Sequence, residues 1–143
     1  MRLTSPAFKQ DEMIPAKYTC QGEDISPPLK ISDIPEEAES LAVIVDDPDA
    51  PGGTWVHWVV FNIPVVEEIE EDSIPGKQGM NSFEKINYGG PCPPSGQHRY
   101  IFRAFALDKS LNADDGAGKE EIEGMLAGHV IEKASLTGLY EKE

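Results

Sequence analysis

Residues that could carry acid–base chemistry or bind an anion lie at the ends of apolar segments in this 143-residue chain. Asp47 and Asp49 follow one apolar run, His57 lies near the start of a second, and His98 and Tyr100 begin a third. Side chains alternate between the two faces of a strand, so the phase of each segment decides which polar groups can meet. If the three segments are antiparallel neighbours, the sequence predicts one site containing these five side chains.

Each of these residues also has a purely structural explanation. The two aspartates flank Pro48 and could initiate a turn, because Asp side chains bond nearby backbone N–H groups. A histidine within an apolar strand, such as His57, can be a hydrogen-bonded core residue, and His98 beside Arg99 can be solvated. The convergence of the polar positions at strand ends that antiparallel pairing would juxtapose favours the functional interpretation.

The spacing of these groups does not match the common metal sites. An EF-hand loop starting at Asp47 has the required glycine at Gly52, but Trp58 stands where the terminal glutamate is needed. Zinc sites use three or four ligands at short spacings, and His57 and His98 are far apart in the sequence. We therefore expect no metal and no other cofactor.

Two residues are candidate catalytic nucleophiles. Ser95 lacks the first glycine of a G-x-S-x-G elbow, and Cys92 lies between prolines rather than at a helix N-terminus that would favour its thiolate. The preferred interpretation is therefore a binding protein rather than an enzyme. The alternative is a hydrolase that uses Asp47, His57 and His98 as acid–base groups.

Three segments have the composition of buried strands that could position these groups. They are apolar on both faces and rich in β-branched or aromatic residues, as is typical of central strands in a covered sheet. They are residues 41–45, Trp55–Ile63 and residues 100–107. Regular alternation along the second segment would put His57 on the same face as Val59 and Phe61.

Weaker signals predict two further strands and one helix. The strands are expected at residues 29–31 and 136–140. An apolar stripe with a 3.6-residue period predicts a helix over residues 119–134, and the stripe consists of Ile122, Met125, Leu126, Val130 and Ala134. His129 lies beside the stripe, and we expect it to be a packed, hydrogen-bonded structural histidine.

Length and composition indicate one globular domain over residues 1–143. Hydrophobic residues make up 39% of the chain and charged residues 27%, a balance typical of folded proteins. No segment approaches the ~20 apolar residues of a membrane helix, and the first eight residues lack the features of a signal peptide, so we expect a cytoplasmic protein. The formal net charge of −14 argues against nucleic acid or an anionic membrane surface as a partner.

A long turn-rich segment, residues 73–99, ends in Gly89-Gly-Pro-Cys-Pro-Pro-Ser-Gly96, which we call the Gly/Pro segment. Proline fixes φ and glycine permits close backbone approach, so this stretch is expected to form a rigid wall of a binding site. Cys92 belongs to it, and Cys20 lies in another turn-rich loop. The sequence leaves open whether these cysteines are free thiols or one disulfide.

Two motifs also carry a family resemblance. They are Asp47-Pro-Asp-Ala-Pro51 followed by Trp55-Val-His-Trp58, and Gly90-Pro-Cys-Pro-Pro-Ser-Gly-Gln-His-Arg-Tyr100. Both resemble signature motifs of the phosphatidylethanolamine-binding protein (PEBP) family, in its bacterial and archaeal Raf-kinase-inhibitor-like branch. Residues 20–29 and 128–130 also resemble that branch, so the similarity extends from about Leu3 to Tyr140.

The resemblance implies a mainly β, PEBP-like domain, in which a large antiparallel sheet packs on a smaller one with one or two short helices. It implies a small pocket at one end of the strands for anionic groups such as phosphate or acetate. By motif position, the ligand-binding residues are Asp47, Asp49, Pro51, Trp55, His57, Gly90, Pro94, His98 and Tyr100. It further implies a homodimer and a regulatory role, such as inhibition of a kinase or protease.

The chain departs from the eukaryotic pattern at two places. Eukaryotic members have a longer insert where this chain has only Gly52-Gly-Thr54, and a C-terminal segment near the pocket where this chain stops shortly after Tyr140. Kinase regulation that depends on those parts is therefore not expected here. For the ligand, we expect affinity to rise as pH falls towards 6, because His57 or His98 then gains charge.

Overall fold

Two antiparallel sheets contain the strands of residues 1–142, the part of the chain that this computed structural model describes. The strands are β1 (Arg2–Thr4), β2 (Leu29–Ser32), β3 (Ser40–Asp47), β4 (Trp55–Ile63), β5 (Glu68–Ile69), β6 (Lys77–Gln78), β7 (Gln97–Leu107) and β8 (Val130–Glu141). The helices are a short 3-10 helix (Ala16–Tyr18) and α1 (Lys119–Leu126). The predicted mainly β architecture with two sheets and few helices is confirmed.

The large sheet has the strand order β6-β4-β3-β7-β8, and the small sheet has the order β1-β2-β5. The three strongest predicted strands are therefore neighbours in the middle of the large sheet, which explains why they are apolar on both faces. Their antiparallel pairing places Asp47 opposite Trp55 and Asp46 opposite Ile101. The end of β3 consequently lies beside the beginnings of β4 and β7.

Each face of the large sheet has its own core. On one face, Val43 and Val45 of β3 pack with Leu29 and Ile31 of the small sheet. On the other face, β3 and β4 pack against the apolar side of α1. Helix and small sheet thus cover the two faces of the large sheet, and the central strands are sequestered from water.

The predicted helix over residues 119–134 is wrong in its second half. Helix α1 ends at Leu126, and Val130 and Ala134 belong to β8, which pairs with β7. Gly128 has a φ of 82°, the left-handed conformation that commonly follows a helix end. The apolar positions after this glycine therefore belong to a strand rather than to a helix. The predicted strand at residues 136–140 is the latter part of β8.

His129 lies in the turn between α1 and β8. Its Nδ1 is 2.9 Å from Oδ1 of Asp108, so the expected hydrogen bond is present. The side chain is 39% exposed, however, and it is not packed in the core as we expected. His129 therefore ties the turn to the end of β7 from the surface.

The two cysteines form one disulfide. Cys20 and Cys92 have Cα atoms 5.5 Å apart and are separated by 72 residues in the sequence. The bond joins the loop after the 3-10 helix to the Gly/Pro segment, and the backbone N–H of Cys20 also donates to the Pro91 carbonyl. Among residues 1–142, no helix has both the length and the apolar character that spanning a membrane requires.

Removing the disulfide should lower the free energy of unfolding by about 4 kcal/mol. The chain-entropy account assigns roughly this value to a cross-link that closes a loop of about 70 residues in the unfolded state. Guanidinium unfolding of the oxidised protein and of a Cys20→Ser/Cys92→Ser variant measures the difference. A reducing agent should destabilise the first and leave the second unchanged, and equal stability of the two proteins would contradict the prediction.

Candidate functional site

A cavity of about 240 Å³ opens where the end of β3 meets the beginnings of β4 and β7. We call it the strand-end cavity. Most of the sequence-predicted site residues line it: Asp47, Pro51, Trp55, His57, Pro94, His98 and Tyr100. Asp49 and Gly90 are not part of its wall. The structure therefore brings together one carboxylate, two imidazoles and a phenol, which are four of the five side chains predicted to meet at the strand ends; Asp49 is the exception.

His57 reaches the cavity by a route that the sequence did not reveal. In the pairing of β3 with β4, Val45 lies opposite Trp58 and Asp46 lies opposite Val56, so His57 is the additional residue of a β-bulge. A bulge turns two successive side chains towards the same side of a sheet. His57 therefore faces the cavity, whereas Val59 packs on the α1 face, and the predicted shared face of these two residues is wrong.

The hydrogen bond of His57 fixes its protonation pattern. Its Nδ1 lies 2.6 Å from the carbonyl oxygen of Gly89, which can only accept, so Nδ1 carries the proton. The backbone N–H of Gly89 donates to the carbonyl of His57 in return. Burial lowers the pKa of His57, against smaller opposing effects of its hydrogen bond to Gly89 and the charge of Asp47. The neutral ring thus presents the lone pair of Nε2 as its remaining polar atom.

His98 is oriented by a buried carboxylate. Its Nδ1 lies 2.7 Å from Oδ2 of Asp47, and both side chains are nearly inaccessible to water. The other oxygen of Asp47 accepts the backbone N–H of Asp49 at 2.8 Å. Asp47 thus initiates the turn, as the structural interpretation expected, and also lines the cavity. His98, like His57, has Nδ1 engaged and Nε2 available.

Tyr100 contributes a donor without a partner. Its hydroxyl is buried and makes no hydrogen bond within the described part of the chain. Burial, and to a smaller extent the nearby charge of Asp47, raise the pKa of Tyr100, so the hydroxyl keeps its proton. A buried polar group without a partner is costly and rare in folded proteins. In a cavity wall, it is a donor available to a ligand or to water.

Asp49 and Gly90 support the wall from outside. Asp49 accepts a pair of hydrogen bonds from the guanidinium of Arg99 and one from its backbone N–H, and the Arg99 bonds lower the pKa of Asp49 to about 2. Gly90 donates its N–H to Oδ1 of Asp24 at 2.8 Å. A Cβ at Gly90 would lie 2.3 Å from that same oxygen, so only glycine fits. The ligand-binding role of these two residues, like that of the residues in the wall, stays a prediction.

Four wall residues lie outside the predicted set of ligand-binding residues, namely Ala50, Phe83, Cys92 and Pro93. Cys92 and Pro93 belong to the Gly/Pro segment that we expected to form a wall, and Ala50 belongs to the first quoted motif. Phe83 lies outside both motifs, and only its place in the long turn-rich segment pointed to it. Of the two candidate nucleophiles, Cys92 is held in the disulfide and Ser95 is exposed outside the cavity wall.

Fold and cavity together define a small β protein with a polar pocket at the ends of its central strands. Residues 4–141 match the family description "Phosphatidylethanolamine-binding protein". The chain belongs to the PEBP family, as the sequence motifs indicated.

Similar proteins come from archaea and bacteria. A UPF0098 protein of Pyrococcus abyssi is 50% identical over 97% of this chain and 84% of its own length, and one of Chlamydia trachomatis is 48% identical over the full length of both. The crystal structure of the PEBP homologue CT736 from Chlamydia trachomatis has a TM-score of 0.96 at 47% identity, covering 99% of this chain and 97% of its own. YbcL of Escherichia coli, described as a member of the mammalian PEBP family, has a TM-score of 0.92 at 34% identity, with 99% and 98% coverage.

The buried, neutral imidazole of His57 should make stability depend on pH. Because its pKa is lowered in the folded protein, the unfolded chain binds the proton first as pH falls. The full contribution of the neutral ring to the free energy of unfolding is therefore present above about pH 6.5, the ordinary pKa of histidine. This contribution is lost as pH falls from that value through the lower pKa of the folded state. Urea unfolding between pH 7 and 5 should show a shallower pH dependence for His57→Gln than for wild type. An NMR titration midpoint of the His57 ring at or above 6.5 would contradict this.

Proposed function

We propose that this protein binds a small ligand through a phosphate or carboxylate group in the strand-end cavity. The proposal rests on one observation: polar atoms in the wall of this cavity are not engaged in hydrogen bonds within residues 1–142. Both imidazoles have Nδ1 engaged, so their Nε2 atoms remain, and the Tyr100 hydroxyl has no partner among the described residues. These atoms belong to side chains that surround one volume and can bind one group together.

The fixed tautomers couple anion binding to a proton. A neutral imidazole with Nδ1–H offers only a lone pair at Nε2, which repels the oxygen of an anion. Protonation converts Nε2 into a donor, and a charge-assisted bond is worth roughly 1.5–3 kcal/mol. The carboxylate of Asp47, 2.7 Å from His98, can balance positive charge on an imidazole, which explains a carboxylate beside a site for anions. The protein's net charge of −14 makes this local compensation necessary.

Acetate is the sharpest probe of this coupling, because its charge does not change between pH 6 and 8. Titration calorimetry should give an affinity about tenfold or more higher at pH 6 than at pH 8, as expected when one imidazole becomes a charged donor. Repeating the titration at pH 7 in two buffers of different ionisation enthalpy counts the proton taken up. Equal affinities at both pH values, with no uptake, would refute the proton coupling.

Removing the oriented imidazole should weaken binding selectively. We expect His98→Ala to lower the affinity for inorganic phosphate at pH 6 by about 10- to 100-fold, the loss of one charge-assisted bond. His129→Ala is the matched control, because His129 also bonds an aspartate but lies far from the cavity in the turn after α1. Equal affinities of the two variants would argue against a ligand in the strand-end cavity.

The same proteins distinguish the alternative function, a hydrolase. Turnover in a phosphatase and esterase screen that His98→Ala abolishes would support the hydrolase, with Asp47, His57 and His98 as its acid–base groups. Measurable affinity without turnover would support the binding protein. The disulfide leaves no thiol at Cys92 for a covalent route.

From the family resemblance we further propose a ligand such as phosphoethanolamine, which carries its own cation. We also propose a homodimer and a regulatory role as a kinase or protease inhibitor. Light scattering tests the dimer. We also retain the cytoplasmic location as part of the proposal, with the condition that the compartment keeps the disulfide oxidised, since most cytosols reduce such bonds.

A further inference from the structure

We propose that Phe83 is a specificity-determining residue and that, with Trp55, it selects ligands whose anionic group carries an aromatic substituent. We call these two residues the aromatic lip. The inference rests on the proposed function, because the anion must occupy the strand-end cavity for its substituent to reach the lip. The ligand class is then a small aryl phosphate or aryl carboxylate rather than the inorganic ion.

The aromatic lip is exposed at a cavity whose polar residues are buried. Phe83 and Trp55 are each 39% exposed, whereas His57, His98 and Tyr100 are nearly inaccessible. All of them line the same cavity, so the lip lies on its solvent side. Apolar surface of this kind beside a polar pocket fits the substituent of a ligand whose charged end lies deeper.

The two rings of the lip have a defined geometry. Their centroids are 5.5 Å apart with an interplanar angle of 79°, and Phe83 also meets the ring of His57 edge-to-face at 5.5 Å. A third aromatic ring can pack on such a pair in stacked or edge-to-face contact, which aromatic rings prefer. A flexible alkyl group would gain less from the same surface. The geometry therefore favours an aryl group.

Hydrogen bonds of the Asn81 side chain fix the loop that carries Phe83. The buried side chain of Asn81 accepts the backbone N–H groups of Phe83 and Lys85 at 3.0 and 3.1 Å and donates to the carbonyl of Asn87 at 2.7 Å. A Cβ at Gly89 would lie 2.6 Å from the Phe83 ring, so glycine there makes room for the ring. A side chain that is held in place before the ligand arrives loses little entropy on binding.

The size of the cavity agrees with a ligand of this class. Its volume of about 240 Å³ is below the roughly 300–1,000 Å³ typical of pockets for drug-sized molecules. It can hold an anionic head and one small ring, but not a large cofactor.

The experiment compares phenyl phosphate with methyl phosphate, which share one ionising head and differ in the substituent. At pH 7 the wild-type protein should bind phenyl phosphate about tenfold more tightly, the effect of one good aromatic contact with its buried area. Phe83→Ala should reduce this ratio to about two or less. Ile86→Ala, which removes an exposed apolar side chain of the same loop outside the cavity wall, should leave the ratio unchanged.

The ratio of the two affinities is the readout, because Phe83→Ala also exposes His57 and could change the absolute affinity for any anion. Phe83→Leu keeps the apolar volume and serves if the alanine variant does not fold; it too should lower the ratio. A wild-type ratio near one, or a ratio that survives in a folded Phe83 variant, overturns the inference while anion binding stands. Failure of the wild type to bind either ester or inorganic phosphate overturns the proposed function itself.

Discussion

The site depends on a register shift between the two strands β3 and β4. Because Asp46 faces Val56 while Val45 faces Trp58, His57 is left without a partner residue and turns to the face that carries the small sheet. In a regular strand, His57 would point towards α1, and the cavity would lose one of its two imidazoles. The bulge occurs between central strands, where pairing on both sides of β3 holds the irregular geometry in place.

The last two residues of β3, Asp46 and Asp47, form polar contacts on opposite faces of the large sheet. Asp47 points to the cavity and orients His98, while the buried Asp46 on the opposite face meets Arg103 of β7 at 3.0 Å and Lys119 of α1 at 3.3 Å. A buried, charged carboxylate without nearby cations would strongly destabilise the fold, so the ion pairs with Arg103 and Lys119 stabilise Asp46. The first turn of the helix is thus anchored one residue away from the site.

The sequence predicted the fold and the convergence of polar side chains at the strand ends, because apolar composition and strand ends are local properties. It could not predict the side of the sheet on which His57 lies, because a bulge depends on how two strands pair. The prediction of a helix beyond Leu126 was wrong for a related reason. An apolar period alone does not show that Gly128 ends the helix or that the residues after it pair with β7. The disulfide and Phe83 depend on loops whose paths only tertiary structure defines.

The wall of the cavity is rigid for reasons that are independent of any ligand. The Gly/Pro segment is fixed by its prolines, by the disulfide at Cys92 and by the bond from Gly90 to Asp24, whose own backbone has a φ of 59°. Within residues 1–142, meanwhile, the Tyr100 hydroxyl has no hydrogen-bond partner and the two imidazoles are engaged through Nδ1. A scaffold that is rigid while its inner polar atoms lack partners is preorganised: it favours any group that satisfies those atoms without moving the backbone. Such a group must supply an acceptor for the Tyr100 hydroxyl and a donor for a neutral imidazole, a combination that a protonated anion offers.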